Sequence, residues 1–107
     1  MPQEIKSKAI AKAKIFHALS TPERLKILEF LRDGEKCVCE ITPYLKLAQP
    51  VVSRHLKILK NTGLVKRRKK GTWHMYSITN PEVYDVIDRL NPELLAALKQ
   101  RIIAQIA

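Results

Sequence analysis

The chain holds three glycines, and each closes a run of regular periodicity: Asp33-Gly34, Thr62-Gly63 and Lys70-Gly71. Glycine reaches left-handed backbone conformations without a Cβ clash, so these points mark where segments end and the chain can turn. Ahead of Gly34, Ile5, Ala9, Ala13, Phe16 and Leu19 recur at helical spacing and predict a first helix over about 3–19. Ser20-Thr21-Pro22-Glu23 then joins a hydroxyl cap, an early proline and an acid, the signature of a helix start. That second helix places Leu25, Leu28 and Leu31 on one face, with Ile27 and Phe30 beside them, and stops at Gly34.

Between Gly34 and Gly63 the pattern predicts a short helix over 38–45, a break at Lys46-Leu47-Ala48-Gln49, and a longer helix over 50–61. Pro43 fits the short helix awkwardly, since proline lacks a backbone donor. Val52, Leu56 and Leu59 would face inward from the longer helix, leaving Ser53, Arg54 and Lys57 outside. Residues 64–68 and 73–78 read as two strands around the Gly71 turn, a β-hairpin. Asn80-Pro81-Glu82 and Asn91-Pro92-Glu93 repeat one start signal eleven residues apart, each opening an amphipathic helix. The expectation is a single domain over 1–107, mainly α-helical, with one hairpin between the fourth and fifth of its helices.

Charge narrows the partners. The formal net charge is +10, and no acidic residue occurs between Glu40 and Glu82. That window contains Lys46, Arg54, Lys57, Lys60 and the unbroken run Lys66, Arg67, Arg68, Lys69, Lys70. A basic block between charge-balanced ends is the footprint of a surface that meets phosphates. Turn signals interrupt the run, which argues against a basic amphipathic helix lying on a membrane. The chain has neither an apolar run long enough to span a bilayer nor a secretory leader pattern, so a cytoplasmic location is expected. It also has no glycine-rich phosphate loop, no HExxH and no paired carboxylates in a plausible cleft, which argues against an enzyme.

Helix, tight turn, helix and basic hairpin, in that order, is the layout of a winged helix-turn-helix. A helix fits the major groove of double-stranded DNA, where base edges are distinguishable, and a two-stranded wing can follow the neighbouring backbone. Helix 50–61 would be the reading helix. Gln49 suits adenine, Arg54 suits guanine, and Ser53 or His55 suits a base edge or a phosphate. Lys57, Lys60, Arg67, Arg68, Lys69 and Lys70 suit phosphates, while Trp73 and Tyr76 read as packing residues. The apolar stripes Ile5, Ala9, Phe16 and Leu94, Leu98, Ile102 are too large for one short chain to hide, which predicts a two-fold homodimer built from the first and last helices. Such a dimer suits an inverted-repeat operator. A rival reading is an architectural protein that coats DNA without regard to sequence.

The stretch AQPVVSRHLKILKNTGLVKRRKKGTWHMYSI resembles the reading helix and wing of the ArsR/SmtB metal-sensing repressors, in which a pattern close to SQxxVSRHLxxLxxxGLV precedes a glycine-turned wing. HALSTPERLKILEFL is similar to that family's ALxxPxRLxIL helix, and EKCVCEI to its ELCVCDL box. The resemblance spans about 16–78 and implies a DNA-binding repressor that releases its operator on binding a metal or metalloid. In the arsenic-type box a third cysteine follows the pair by three residues; here that position is Thr42. Cadmium and lead sensors add cysteines from the N-terminal segment, and none lies between Met1 and Lys36. Members that sense through histidines on the last long helix have no counterpart here, as no histidine follows His74.

Cys37 and Cys39, the only cysteines, fall at the start of the short helix, where amide N–H groups favour the thiolate form that binds soft ions. Residues two apart on a regular helix point in nearly opposite directions, so holding one ion with both is expected to distort the first turn. Three readings stand at this point. The pair could bind arsenite, antimonite, cadmium, lead, zinc or copper(I), with His17, Thr42 or an external thiol completing the shell. It could be a thiol-redox sensor. It could be purely structural. The thiols are expected to be reduced, and the pair too close for a comfortable disulfide.

Overall fold

Thr21 starts the second helix as the sequence requires: its hydroxyl accepts a hydrogen bond from the Arg24 amide at 3.2 Å, and Pro22 follows in the first turn. The computed structural model describes residues 3–106. In chain order the elements are α1 (Gln3–Ala18), α2 (Pro22–Phe30), β1 (Lys36–Cys37), α3 (Val38–Leu45), α4 (Gln49–Asn61), β2 (Val65–Lys70), β3 (Trp73–Ile78), α5 (Glu82–Asp88) and α6 (Pro92–Ile106). Asn80 and Asn91 accept amide hydrogen bonds at the starts of α5 and α6, at 2.9 and 2.8 Å, so both start signals act as such. No described helix is long and apolar enough to cross a membrane.

The core forms where α2, α3 and α4 meet the hairpin. Ile27, Leu28 and Leu31, with Ile41 of α3 and Val52, Leu56 and Leu59 of α4, are fully or almost fully buried. Leu64, Val65 and Tyr76 close it from the hairpin side, and Tyr84 of α5 reaches it by donating its hydroxyl to the Leu28 carbonyl at 2.6 Å. Stacked rings of Phe30 and Tyr44, 4.1 Å between centroids, hold α3 against α2.

Two differences from the sequence expectation stand out, and one awkward fit holds. The hairpin has a third strand: β1 pairs antiparallel with β3, giving the order β1-β3-β2. Two residues are too short for any periodicity to reveal. Trp73 was expected to pack, yet it is 55% exposed, because it pairs with Lys70 at the tip of the wing beyond the core. Pro43 does sit inside α3, where the donor it lacks is the one that would reach the Cys39 carbonyl.

One buried cation organises the helical side. Arg24 is only 4% exposed; its guanidinium donates to the Ala18 carbonyl at 2.6 Å and the His17 carbonyl at 3.2 Å, and meets His55 Nδ1 at 3.1 Å. A guanidinium only donates, so Nδ1 of His55 is the acceptor. The side chain thus satisfies the end of α1 while bracing α4. Arg24→Ala should lower unfolding stability by roughly 1–3 kcal/mol, because it strands the buried Ala18 carbonyl, while the His17 carbonyl keeps its bonds from Ser20. His55→Ala should cost less, since both carbonyls keep their donor. A shift in urea midpoint at unchanged slope is the measurement, and equal midpoints for wild type and Arg24→Ala would refute this role.

Candidate nucleic-acid interface and thiol site

Burial of Val52, Leu56 and Leu59 turns the other face of α4 outward. Gln49, Ser53, Arg54, Lys57 and Lys60 are all exposed. Gln49 lies inside the helix, one residue ahead of the expected start, with Ala48 as an N-cap that makes no side-chain bond. Pro50 has no amide N–H and the Val51 and Val52 amides bond the Ala48 carbonyl, at 3.0 and 3.2 Å, so the first turn is closed by its own backbone. His55 is placed differently from the residues around it. It is half-buried, and its Nδ1 is engaged by Arg24, so through that nitrogen it braces α4.

The pleat of β2 divides its cations between two faces. Arg67 and Lys69 stand opposite Tyr76 and His74 of β3, on the side facing α4. Arg67 shares a cleft of about 380 Å³ with Ser53, Lys57 and Lys60, and no acid lines it. Lys66, Arg68 and Lys70 point the other way. On that side Arg68 is held by Glu35 in a two-pronged ion pair, both N···O distances 2.7 Å. The guanidinium keeps the Glu35 carboxyl below the usual carboxylate range, chiefly through these hydrogen bonds. Arg68 is thus not a free phosphate contact of the same kind as Lys69 and Lys70. The pair spans the sheet from the segment before β1, across Met75 of β3, to β2.

Cys37 and Cys39 converge without distorting the helix. Cys37 is the N-cap of α3, with extended dihedrals (φ −73°, ψ 148°), so its side chain turns back over the first turn. Its sulfur accepts from the Cys39 amide at 3.0 Å, and Glu40 accepts from the Cys37 amide at 3.1 Å, a capping box with cysteine as the cap. The Cα atoms are 5.0 Å apart, within disulfide range, and the two sulfurs are bonded in the structure. One expectation about the pair is corrected here: the two sulfurs converge with no distortion of the first turn. Opposed directions hold only for residues inside a helix, and Cys37 stands outside it.

Cys37 is buried at 4% exposure, whereas Cys39 is exposed and lines a cavity with Thr42. The Thr42 hydroxyl donates to the Val38 carbonyl at 2.8 Å. His17 lies elsewhere, in a groove with Ile10 and Thr62. Among the described residues, no three Cys, His, Asp or Glu side chains are gathered as a metal site.

The chain matches the family described as Bacterial regulatory protein, arsR family, over residues 21–67. It is 49% identical over 76 residues to an uncharacterised HTH-type transcriptional regulator of Methanocaldococcus jannaschii, an overlap of 70% of this chain and 85% of that one. The chain belongs to the ArsR family. ArsR-family chains are transcriptional regulators with a DNA-binding fold, so the enzyme class is closed. An arsenical resistance operon repressor of Staphylococcus xylosus is 41% identical over 75 residues, covering 70% of this chain and 71% of that one. Among solved structures, the homodimeric winged helix-turn-helix DNA-binding domain from Mycobacterium bovis superposes with a TM-score of 0.79 at 26% identity, covering 89% of this chain and 91% of that one.

For this ArsR-family chain, Gln49→Ala or Arg54→Ala should cost about 1–3 kcal/mol on a cognate operator and relax sequence choice. Lys69→Ala should weaken cognate and random duplex alike and reduce the salt slope by about one. Arg68→Ala should flatten that slope less than Lys69→Ala, because Glu35 already balances its charge. Fluorescence anisotropy across a salt series reads all four variants. Equal losses on cognate and random DNA for Gln49 and Arg54 would remove α4 as the reading helix.

Proposed function

We propose that this ArsR-family chain is a homodimeric repressor that holds an inverted-repeat DNA operator through α4 and the wing, and releases it when a thiophilic ion binds Cys37 and Cys39. The observation that carries the reading is the position of the pair. Cys37 ends β1, which is hydrogen-bonded to the middle strand of the wing, and it also caps α3, the helix packed before α4. A change at this one residue therefore acts on both DNA-facing elements.

The residues present fit such an ion by donor chemistry: two sulfurs converge beside a helix N-terminus, one buried and one open to solvent. A bound thiophilic ion supplies bonds to both sulfurs at once. The chain does the rest: Cys37 both caps α3 and ends β1, so a change in what its sulfur holds bears on the α3 start and on the strand paired with β3. A coupling of about 1–3 kcal/mol per site is enough for induction. The arsenical resistance operon repressor among the relatives, named for its effect, supports an ion of this class.

Dimerisation is supported by what the fold leaves uncovered. Ile5 and Phe16 on α1, and Leu94, Leu98 and Ile102 on α6, are between 41% and 60% exposed. The radius of gyration is 16.1 Å, against about 13 Å for a compact chain of this length, because the outer helices stand away from the core. The homodimeric Mycobacterium bovis domain supports a second copy as their cover.

A second reading, release on thiol oxidation without any ion, is favoured by one observation, the bonded sulfurs of Cys37 and Cys39. One titration separates the two. Reduced protein on a labelled operator should release DNA on adding arsenite, cadmium or zinc and ignore magnesium, while Cys37→Ser/Cys39→Ser should bind DNA normally and ignore every ion. Release by oxidant in the absence of metal would establish the second reading, and release from the double-serine protein would sink both. Removing α6 by truncation after Asn91 should yield a monomer with operator affinity lowered at least tenfold, on the order of a lost half-site.

A further inference from the structure

The wing ends in a tip of little bulk. Lys70 and Trp73 are cross-strand partners that close a two-residue turn, Gly71-Thr72, and Gly71 takes a positive φ of 62° there. Trp73 and Lys70 are therefore the foremost large side chains of the wing, and cross-strand partners share a face. Trp73 is 55% exposed, although its ring is the largest apolar side chain available to the core. It also lines a cavity of about 370 Å³ together with Gln49, the first residue of α4. The wing tip thus stands beside the reading end of that helix. Cations alone give the wing no means of telling one sequence from another, because phosphates are the same everywhere.

We infer that Trp73 is a specificity-determining residue: it enters the DNA minor groove beside the major groove taken by α4, and its indole N–H selects A·T pairs there. This rests on the operator-holding part of the reading above and is independent of what Cys37 and Cys39 bind. The chemistry of the groove decides the preference. In the minor groove A·T and T·A pairs present acceptors only, whereas a G·C pair adds the guanine amino donor. An indole nitrogen only donates, so it is matched by the first and opposed by the second. The apolar body of the ring suits the sugars that wall the groove, as apolar side chains do in minor-groove binders. Lys70, on the same face, and Lys69 behind it suit the phosphates on either rim. Gln49 and Arg54 would then read the centre of each half-site, and Trp73 its flank.

The test uses the full chain and a duplex that it selects from a random library, rebuilt with the pairs flanking each half-site as A·T, G·C or inosine·cytosine. Inosine keeps the major-groove acceptors of guanine and lacks its minor-groove amino group, so the third duplex separates the two grooves. Wild type should hold the A·T and inosine·cytosine duplexes alike and the G·C duplex roughly three- to tenfold more weakly, the range that one net hydrogen bond gives. Trp73→Phe keeps a ring and loses the N–H, and should bind all three duplexes alike. Trp73→Ala should do the same with lower affinity throughout. Both changes fall on an exposed side chain and leave the core intact. Trp73 is the single tryptophan, so its emission reports contact directly and should be quenched as the A·T duplex saturates the protein. Unchanged emission at saturation, or equal affinity of wild type for the three duplexes, overturns the inference. So does a flank preference that survives in Trp73→Phe, which would assign it to groove width sensed by the lysines. A library that yields no preferred duplex overturns instead the operator reading itself.

Discussion

Burial of Val52, Leu56 and Leu59 beneath α4 fixes which residues of that helix can face DNA. A helix offers DNA only what it does not bury, and these three side chains repeat at a spacing that keeps one stripe inward. Each is worth roughly 1.5–3 kcal/mol of burial, far more than any single polar contact on the outer face supplies to folding. The outer face is therefore free of structural duty. Gln49, Ser53, Arg54 and Lys57 can be chosen for what they touch, and the helix stays seated whatever they are.

The polar residues that do serve the fold sit where α4 and the wing need aiming. Arg24 joins the end of α1 to His55, so the reading helix is registered against the outer helices by a charged contact in the interior. Glu35 and Arg68 do the corresponding job for the wing, reaching across β3 from one edge of the sheet to the other. Exposed ion pairs contribute little to stability as a rule, but a two-pronged carboxylate–guanidinium pair is directional. Its use here is orientation. Both devices take a residue that composition assigns to the DNA surface and turn it to holding that surface in place.

This is why the sequence conveyed the helices well and the site unevenly. Periodicity and caps located α2, α4, the hairpin and both asparagine-led helices, because those signals are local. The basic window pointed to DNA because charge needs no geometry. Arg68, His55 and Arg24 were illegible for the opposite reason. Their partners lie 33, 31 and 6 or more positions away, and nothing local marks an arginine that will be matched. Strand β1 was hidden by its length, and with it the fact that the cysteine box belongs to the sheet.

The cap explains how a small site can act on a large surface. A side-chain cap is worth about 1 kcal/mol to the helix it starts, and the coupling between effector and operator in such switches is about 1–3 kcal/mol. The two quantities are of one size. Cys37 supplies that cap with its sulfur, so anything bonded there sits directly on the capping atom. Because Cys37 is also the last residue of β1, a change there is felt by α3 and the wing together. A cysteine placed one turn further into α3 would bind ions without touching the cap, and the energy of binding would then have no lever on the DNA-facing elements.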